Sequence, residues 1–349
     1  MKKLTAIFVR AFMLAALVGC RAEAASAEDF FELCREGTPQ QIEAAIKAGA
    51  DVNARNGDDM TPLMLAVQKG GVEFVNALIQ GGADVNAKLE EGVTVLMIAL
   101  LENNAELLNV LIKAGADINA KTSDGWTALI VAAELNCNPE VFNVLIQSGA
   151  EVDAKDNDGA TPLMFAALSS DNPEVLGVLV QAGADVDAKD NNGWTPLMNV
   201  ARYSNNTEIL RTFIQAGADV NAKNGEGSTP LMFAAYENST EILSALIQAG
   251  ADVNARNNIA WTPLMWAANY NGNIEVLNAL IQAGADVGAK DIDGSTVLTR
   301  AAERREPEIV LFLLAAGATV SGNDLELAQR NKHLKDTAII AELKSRLKK

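Results

Sequence analysis

A single segment, repeated along the chain, sets the limits on what this sequence can fold into. Residues 156–167 read DNDGATPLMFAA, and close variants recur as SDGWTALIVAA, NNGWTPLMNVA, GEGSTPLMFAA and NIAWTPLMWAA. Thr61, Thr94, Thr127, Thr161, Thr195, Thr229, Thr262 and Thr296 are each followed two residues later by Leu, at spacings of 33, 33, 34, 34, 34, 33 and 34. Gly-Ala pairs begin at Gly49, Gly82, Gly115, Gly149, Gly183, Gly217, Gly250, Gly284 and Gly317. A fixed period of this size predicts a solenoid, in which no unit buries its apolar face alone and each leans on its neighbours.

Within a unit the residues predict two helices and a loop. Thr161 is placed to cap the first helix, its hydroxyl accepting a free backbone N–H. Pro162 follows at the first helical position, where a missing N–H costs nothing. Leu163, Ala166 and Ala167 give a narrow apolar face, and the alanines let neighbouring helices come close. The second helix opens at Asn172-Pro173-Glu174. A Glu recurs there as Glu73, Glu106, Glu140, Glu208, Glu241, Glu275 and Glu308, and a carboxylate at that end favours the helix by about 0.3–1 kcal/mol. Val175, Leu176, Leu179 and Val180 supply its buried stripe. Gly183 ends it as a left-handed C-cap, and ADVDAKDNNG runs extended into a turn closed by Asn192-Gly193. Leu63 to Glu73 spans ten residues, but Leu129 to Glu140 spans eleven. The extra residue, present in the units opening at Thr127, Thr161, Thr195 and Thr262, therefore falls between the two helices, where a surface loop tolerates it.

DNDGATPLMFAA with GADVDAK, and GEGSTPLMFAA with GADVNAR, resemble the ankyrin repeat family, whose pattern runs D-x-x-G-x-T-P-L-H-x-A-A, a second helix, then G-A-D-V-N-A. The likeness extends over about residues 28–349. It implies an all-α repeat solenoid of about eight full repeats, each with two antiparallel helices plus an extended loop and β-turn, closed by capping repeats at both ends. The implied ankyrin domain divides into an N-terminal cap at 28–56, eight repeats over 57–320 and a C-terminal cap at 321–349. The helical His of the family is replaced by Met64, Met97, Met164, Met198, Met232 and Met265, which exchanges a polar bridge for flexible apolar filling. The N-terminal FFELCREGTPQQIEAAIKAGADVNAR lacks the usual Thr-Pro opening and reads as a cap. In the C-terminal cap, Lys332, Lys335, Lys344, Arg346, Lys348 and Lys349 are expected to form a solvated outer face.

The chain is 49% hydrophobic and 21% charged, which suits a folded protein. Residues 1–27 carry +3 of the formal net charge of −17, so the remainder carries −20. Such a surface repels nucleic acid and anionic membranes and favours a basic or neutral partner. MKK followed by AFMLAALVG and small residues predicts an export leader over residues 1–27, too short to span a bilayer. Two processing routes stay open. LVGC at 17–20 resembles a lipobox with Cys20 acylated, and ASA at 25–27 fits ordinary signal cleavage. Either route exports the protein, to the periplasm or to a lipid-anchored place on the envelope. Cys34 and Cys137 lie about three repeats apart, beyond the ~7 Å Cα limit for a disulfide, and are expected as free thiols.

Catalytic chemistry has little to work with. His333 is the sole histidine, so no local nucleophile–base pair is available and a His/Cys zinc site lacks ligands. No phosphate-binding glycine loop occurs. If Gly159 took the sixth place of a calcium loop, Ala154 and Phe165 would fall where oxygen ligands belong, so the Asp/Asn-rich turns read as turn chemistry. No enzyme, cofactor or metal is expected. Two charged columns, Asp51 to Asp286 and Arg55 to Lys290, are expected to brace loops between adjacent units.

The resemblance implies that the residue before each opening Thr, and the two after the Ala pair, project toward a concave binding face. The first of these columns holds Trp126, Trp194 and Trp261; the second holds Tyr203, Tyr236 and Tyr270, and Trp266 lies on a first helix nearby. Because Trp and Tyr dominate interface hot spots, these seven residues are the expected protein-binding set, with acidic turns such as Asp156, Asp158, Asp190 and Asp291 steering the partner. The expected function is a non-enzymatic protein-binding scaffold in the bacterial envelope. A lipid-anchored structural component and an effector secreted to a host cell are the alternatives.

Overall fold

Threonine starts each unit as the sequence requires. In the computed structural model, which describes residues 27–169, 172–237, 240–304, 307–331, 333–334 and 338–347, seven of the eight opening threonines accept a hydrogen bond from the backbone N–H three residues on, at 3.2–3.4 Å. Thr229 is the exception: its buried hydroxyl has no partner among the described residues. Residues 1–26, with Cys20 and nearly all of the expected leader, lie outside the described part.

The first helices follow at once, as Pro62–Gln68, Val95–Ala99, Ala128–Glu134, Pro162–Ser169, Pro196–Tyr203, Pro230–Glu237, Pro263–Trp266 and Val297–Glu303. Their paired second helices are Val72–Gln80, Ala105–Lys113, Pro139–Gln147, Pro173–Gln181, Thr207–Gln215, Thr240–Gln248, Ile274–Gln282 and Pro307–Ala315. Two further pairs close the stack, Ala27–Glu36 with Pro39–Lys47 and Gly322–Arg330 with Ala338–Leu347. Where a unit has one residue more, that residue does lie between its two helices. In the unit opening at Thr262 it is absorbed by a π-helical turn, Ala267–Asn271, the usual form of a one-residue insertion into a helix.

First helices pack on first helices of consecutive units, second on second, and the two helices of a unit on each other. The first helices are therefore enclosed on nearly every side: all of Pro162–Ala167 is buried. The second helices keep one wet face, so only a stripe such as Val175, Leu176 and Leu179 is buried. Met64, Met97, Met164, Met198, Met232 and Met265 are all buried, as apolar filling should be. The buried apolar residues form one continuous cluster from Phe30 to Leu343. Cys34 and Cys137 are free thiols within it, and burial pushes both up to about 12. Among the described residues no helix is long and apolar enough to cross a membrane.

Loops stack as regularly as helices, and one of the two expected columns braces them. The Asp column folds each loop on itself: Asp84 accepts from the N–H of Asn86, and Asp185 from that of Asp187. The bracing between units comes from two places further on. Asn86 accepts from the N–H of Asp117 at 2.7 Å and donates to the carbonyl of Gly115 at 3.0 Å. Where Asp153 and Asp187 replace this Asn, the accepting bond remains, to Asp185 and Asp219, but a carboxylate has no N–H for the second. The cationic column does bridge units: Lys121, Lys155 and Lys189 each donate to the backbone carbonyl of the next member at 2.9 Å.

At the C-terminal end, buried Asp324 accepts from Thr299 Oγ1 at 2.6 Å and from Ser321 N–H at 2.7 Å, latching the last helix pair to the unit before it. Lys344 is exposed as expected. Arg346 is not simply solvated: it pairs with Glu342 at 2.7 Å and donates to the Leu314 carbonyl at 2.7 Å. Lys332, Lys335, Lys348 and Lys349 lie outside the described residues, and His333 is exposed.

Candidate protein-binding surface

The turns that carry the tryptophans are each built by the residue four places before the ring: Asp190, Asn257 and Thr122 accept from the N–H of Trp194, Trp261 and Trp126 at 2.8, 2.9 and 3.1 Å. Asp190 Oδ1 accepts from the N–H groups of Asn192 and Trp194, both at 2.8 Å, so the carboxylate holds the indole's own backbone in place. Asp156 does the same for Asp158 and Ala160 at 3.0 and 2.7 Å. Successive turns then pair through their backbones: Asn157 N–H donates to Asp124 O at 3.0 Å and Asn191 N–H to Asp158 O at 2.9 Å. Gly159 shows why glycine sits in these turns. Its φ is 79°, and a Cβ would lie 2.6 Å from Asn191 Oδ1 and 2.9 Å from Asn191 N in the next turn.

Six of the seven expected binding residues are brought together. Trp194 stacks on Phe233 with centroids 4.3 Å apart, and Phe233 meets Trp266 edge-on at 5.8 Å. Trp266 touches Tyr236, Trp261 and Tyr270 at 5.9, 6.3 and 5.4 Å, and Tyr236 touches Tyr270 at 5.0 Å. Tyr203 joins through Arg202, whose guanidinium lies 5.3 Å from Tyr203, 5.8 Å from Trp194 and 4.9 Å from Tyr236. Tyr203 and Tyr270 stand out from this set at 57% and 46% exposure, while Trp194, Tyr236, Trp261 and Trp266 are half-buried. The buried indole N–H of Trp266 has no partner among the described residues.

Trp126 stands apart. It is 6% exposed and packs edge-on against Phe165 at 4.8 Å, so it contributes a wall rather than an open ring. Asp291 also departs from the expected steering role. It is buried and bonded to Arg300, whose guanidinium lies 5.0 Å from the Trp261 ring. Burial raises the Asp291 carboxyl, but the Arg300 bond and charge and the N–H groups of Ser295 and Asp293 outweigh it and hold the group below the usual carboxylate range. Asp156 moves the other way: burial first, then the charges of Asp158 and Asp190, push it up against the pull of its two turn N–H bonds. Phe165, Phe233, Arg202 and Arg300 complete the surface without having been marked in the sequence. Their helical position reads as core or solvent; only the pairing of each turn with the next unit's helix brings them into it.

The pattern of ankyrin repeats, described in sets of three copies, matches residues 30–122, 119–190, 169–257 and 256–324. The chain belongs to the ankyrin repeat family. Compared with curated proteins, the chain finds no match. Ankyrin repeats typically mediate protein–protein interaction, and their fold is generally a binding scaffold rather than a catalyst. In this ankyrin chain the residue types most able to serve such a contact converge on the face made by the turns and first helices.

Proposed function

We propose that this chain is an exported scaffold that grips another protein with the aromatic face running from Trp194 to Tyr270, and that it turns nothing over. The single observation carrying this reading is the contiguity of Trp194, Tyr203, Tyr236, Trp261, Trp266 and Tyr270, with two tyrosines left largely in solvent. Large rigid rings of this kind dominate interface energetics when a partner covers them. The acidic turns and the charge of −20 beyond residue 27 favour a basic or neutral partner through steering of encounter.

The test uses the full chain as bait against the soluble and membrane fractions of its source cell. Replacing Tyr203 and Tyr270 by Ala removes exposed rings while sparing the stacked Trp194–Phe233 pair. The double variant is expected to retain its helical circular dichroism and to lose at least tenfold of the captured partner. Undiminished capture contradicts the reading.

A second reading places the chain as a lipid-anchored envelope component, and LVGC at 17–20 favours it. A lipoprotein's several chains would hold the protein on the membrane where one chain would not. Replacing Cys20 by Ser should then release it into the soluble fraction; a distribution identical to that of the parent chain argues for cleavage after ASA instead.

A further inference from the structure

The aromatic face follows a stacking rule, and the rule lapses at one step. At three steps the residue before an opening Thr packs on the residue four places after the next opening Thr. Trp126 meets Phe165 at 4.8 Å, Trp194 meets Phe233 at 4.3 Å, and Trp261 meets the Arg300 guanidinium at 5.0 Å. Between the first two pairs the rule would join Ala160 to Asn199, and neither side chain has the bulk to close the gap. Elsewhere the second place is filled by Leu65, Ile98, Val131, Phe165, Phe233, Trp266 or Arg300. The shortfall leaves a cavity of about 680 Å³ with Trp126, Phe165, Trp194 and Tyr203 among its walls.

Asn199 lines that cavity. It is only 9% exposed, and its amide has no hydrogen-bond partner among the described residues. A largely enclosed amide that opens on the cavity and has no protein partner can bond one supplied from outside. Asp124, Asp156, Asp158 and Asp190 line the same space, and no lysine or arginine does. Asp156 and Asp190 each use Oδ1 for two turn N–H groups, leaving Oδ2 for a ligand. Burial and, to a lesser degree, the charges of Asp158 and Asp190 push the Asp156 carboxyl up against its two turn N–H bonds, a repulsion that a cation would relieve. Among the described residues no three such side chains converge as a metal site requires.

The chain itself shows which cation suits this geometry. Arg300 occupies the repeat position of Asn199, and Asp291 the position of Asp190; their side chains are bonded, with the guanidinium against an indole. At the notch the equivalent carboxylate, Asp190, is present, but the guanidinium is replaced by the short Asn199 amide and Ala160 stands where Trp261 does, with Trp126 and Trp194 in the walls instead. We propose that the notch receives an arginine side chain of the bound partner, its guanidinium near Trp126 and Trp194, donating to Asp156, Asp190 and the Asn199 amide oxygen. A guanidinium is planar, weakly hydrated and rich in donors, and it stacks on aromatic faces, which an ammonium matches poorly. The inference rests on the protein-binding reading above and names the chemistry of the partner.

The test begins with a random heptapeptide phage library selected on the full chain. The tightest peptide is then titrated calorimetrically against the parent chain and two variants. Asn199→Arg supplies the guanidinium from the chain itself, as at Arg300; Ala160→Trp restores the ring present one step before and one step after. Selected peptides are expected to share an arginine. Its replacement by Gln or Lys, and either chain variant, should weaken binding at least tenfold while the variants melt no lower than the parent. Peptides without a common arginine, full affinity with Lys, or undiminished binding by either variant would overturn the arginine assignment and leave the broader reading standing. A folded chain that selects no peptide sinks both.

Discussion

At the scale of single residues, the repeat exposes its own exceptions. The place two before each opening Thr needs a left-handed backbone, and glycine fills it at Gly125, Gly159, Gly193 and Gly227 with φ between 74° and 82°. Ala260 adopts φ 60° at the same place, at a cost of about 1–2 kcal/mol for a residue with a Cβ. Ala260→Gly is therefore expected to raise stability by about 1 kcal/mol, net of the entropy glycine adds to the unfolded chain, seen as a higher urea midpoint at unchanged slope. Asp187 offers a second case. Asp187→Asn keeps the acceptor for Asp219 N–H and restores the donor that Asn86 and Asn221 supply to the next unit's glycine carbonyl. One regained exposed hydrogen bond and one removed negative charge should add about 0.5–1.5 kcal/mol by the same measurement. Both exceptions are legible once the sequence is aligned on itself, because their neighbours in the repeat state what the position requires.

At the scale of elements, helices were easier to read than faces. Thr-Pro openings, Glu at the second helix and Gly at its end mark helix bounds with local chemistry, and the single-residue insertions fell where spacing placed them. Exposure was less legible, because a turn's indole is covered or left open by a side chain roughly forty residues later. Trp126 is buried since Phe165 follows, Trp261 carries a guanidinium since Arg300 follows, and the cavity exists since Ala160 is followed by Asn199. The closing helix pair is held by a comparably specific contact. Asp324 joins Gly322–Arg330 to Thr299 of the preceding unit, and Asp324→Ala leaves the Thr299 hydroxyl and Ser321 N–H without it. Hydrogen exchange is expected to speed up in Gly322–Arg330 and Ala338–Leu347 and to stay unchanged in the units from Thr94 to Thr229, since coupling in a solenoid passes between neighbours. Uniform acceleration along the whole chain would contradict that picture.

On the scale of the whole molecule, stacking divides the surface into two kinds. Second helices present their polar outer faces to water, while turns and first helices carry the tryptophans and tyrosines, the buried Asn199 and the acidic rim. The repeated part of each unit maintains the stack, and the variable part decides what the stack can hold; a scaffold alone does not specify its ligand. The partner-binding claim is thus a claim about location. Hydrogen–deuterium exchange of the full chain, free and with its captured partner, tests it directly. The account expects slowed exchange in the turns at 157–160, 191–194 and 258–261 and in the first-helix ends that carry Tyr203 and Tyr270. Protection confined to the second helices, with those turns exchanging as in the free chain, would contradict it.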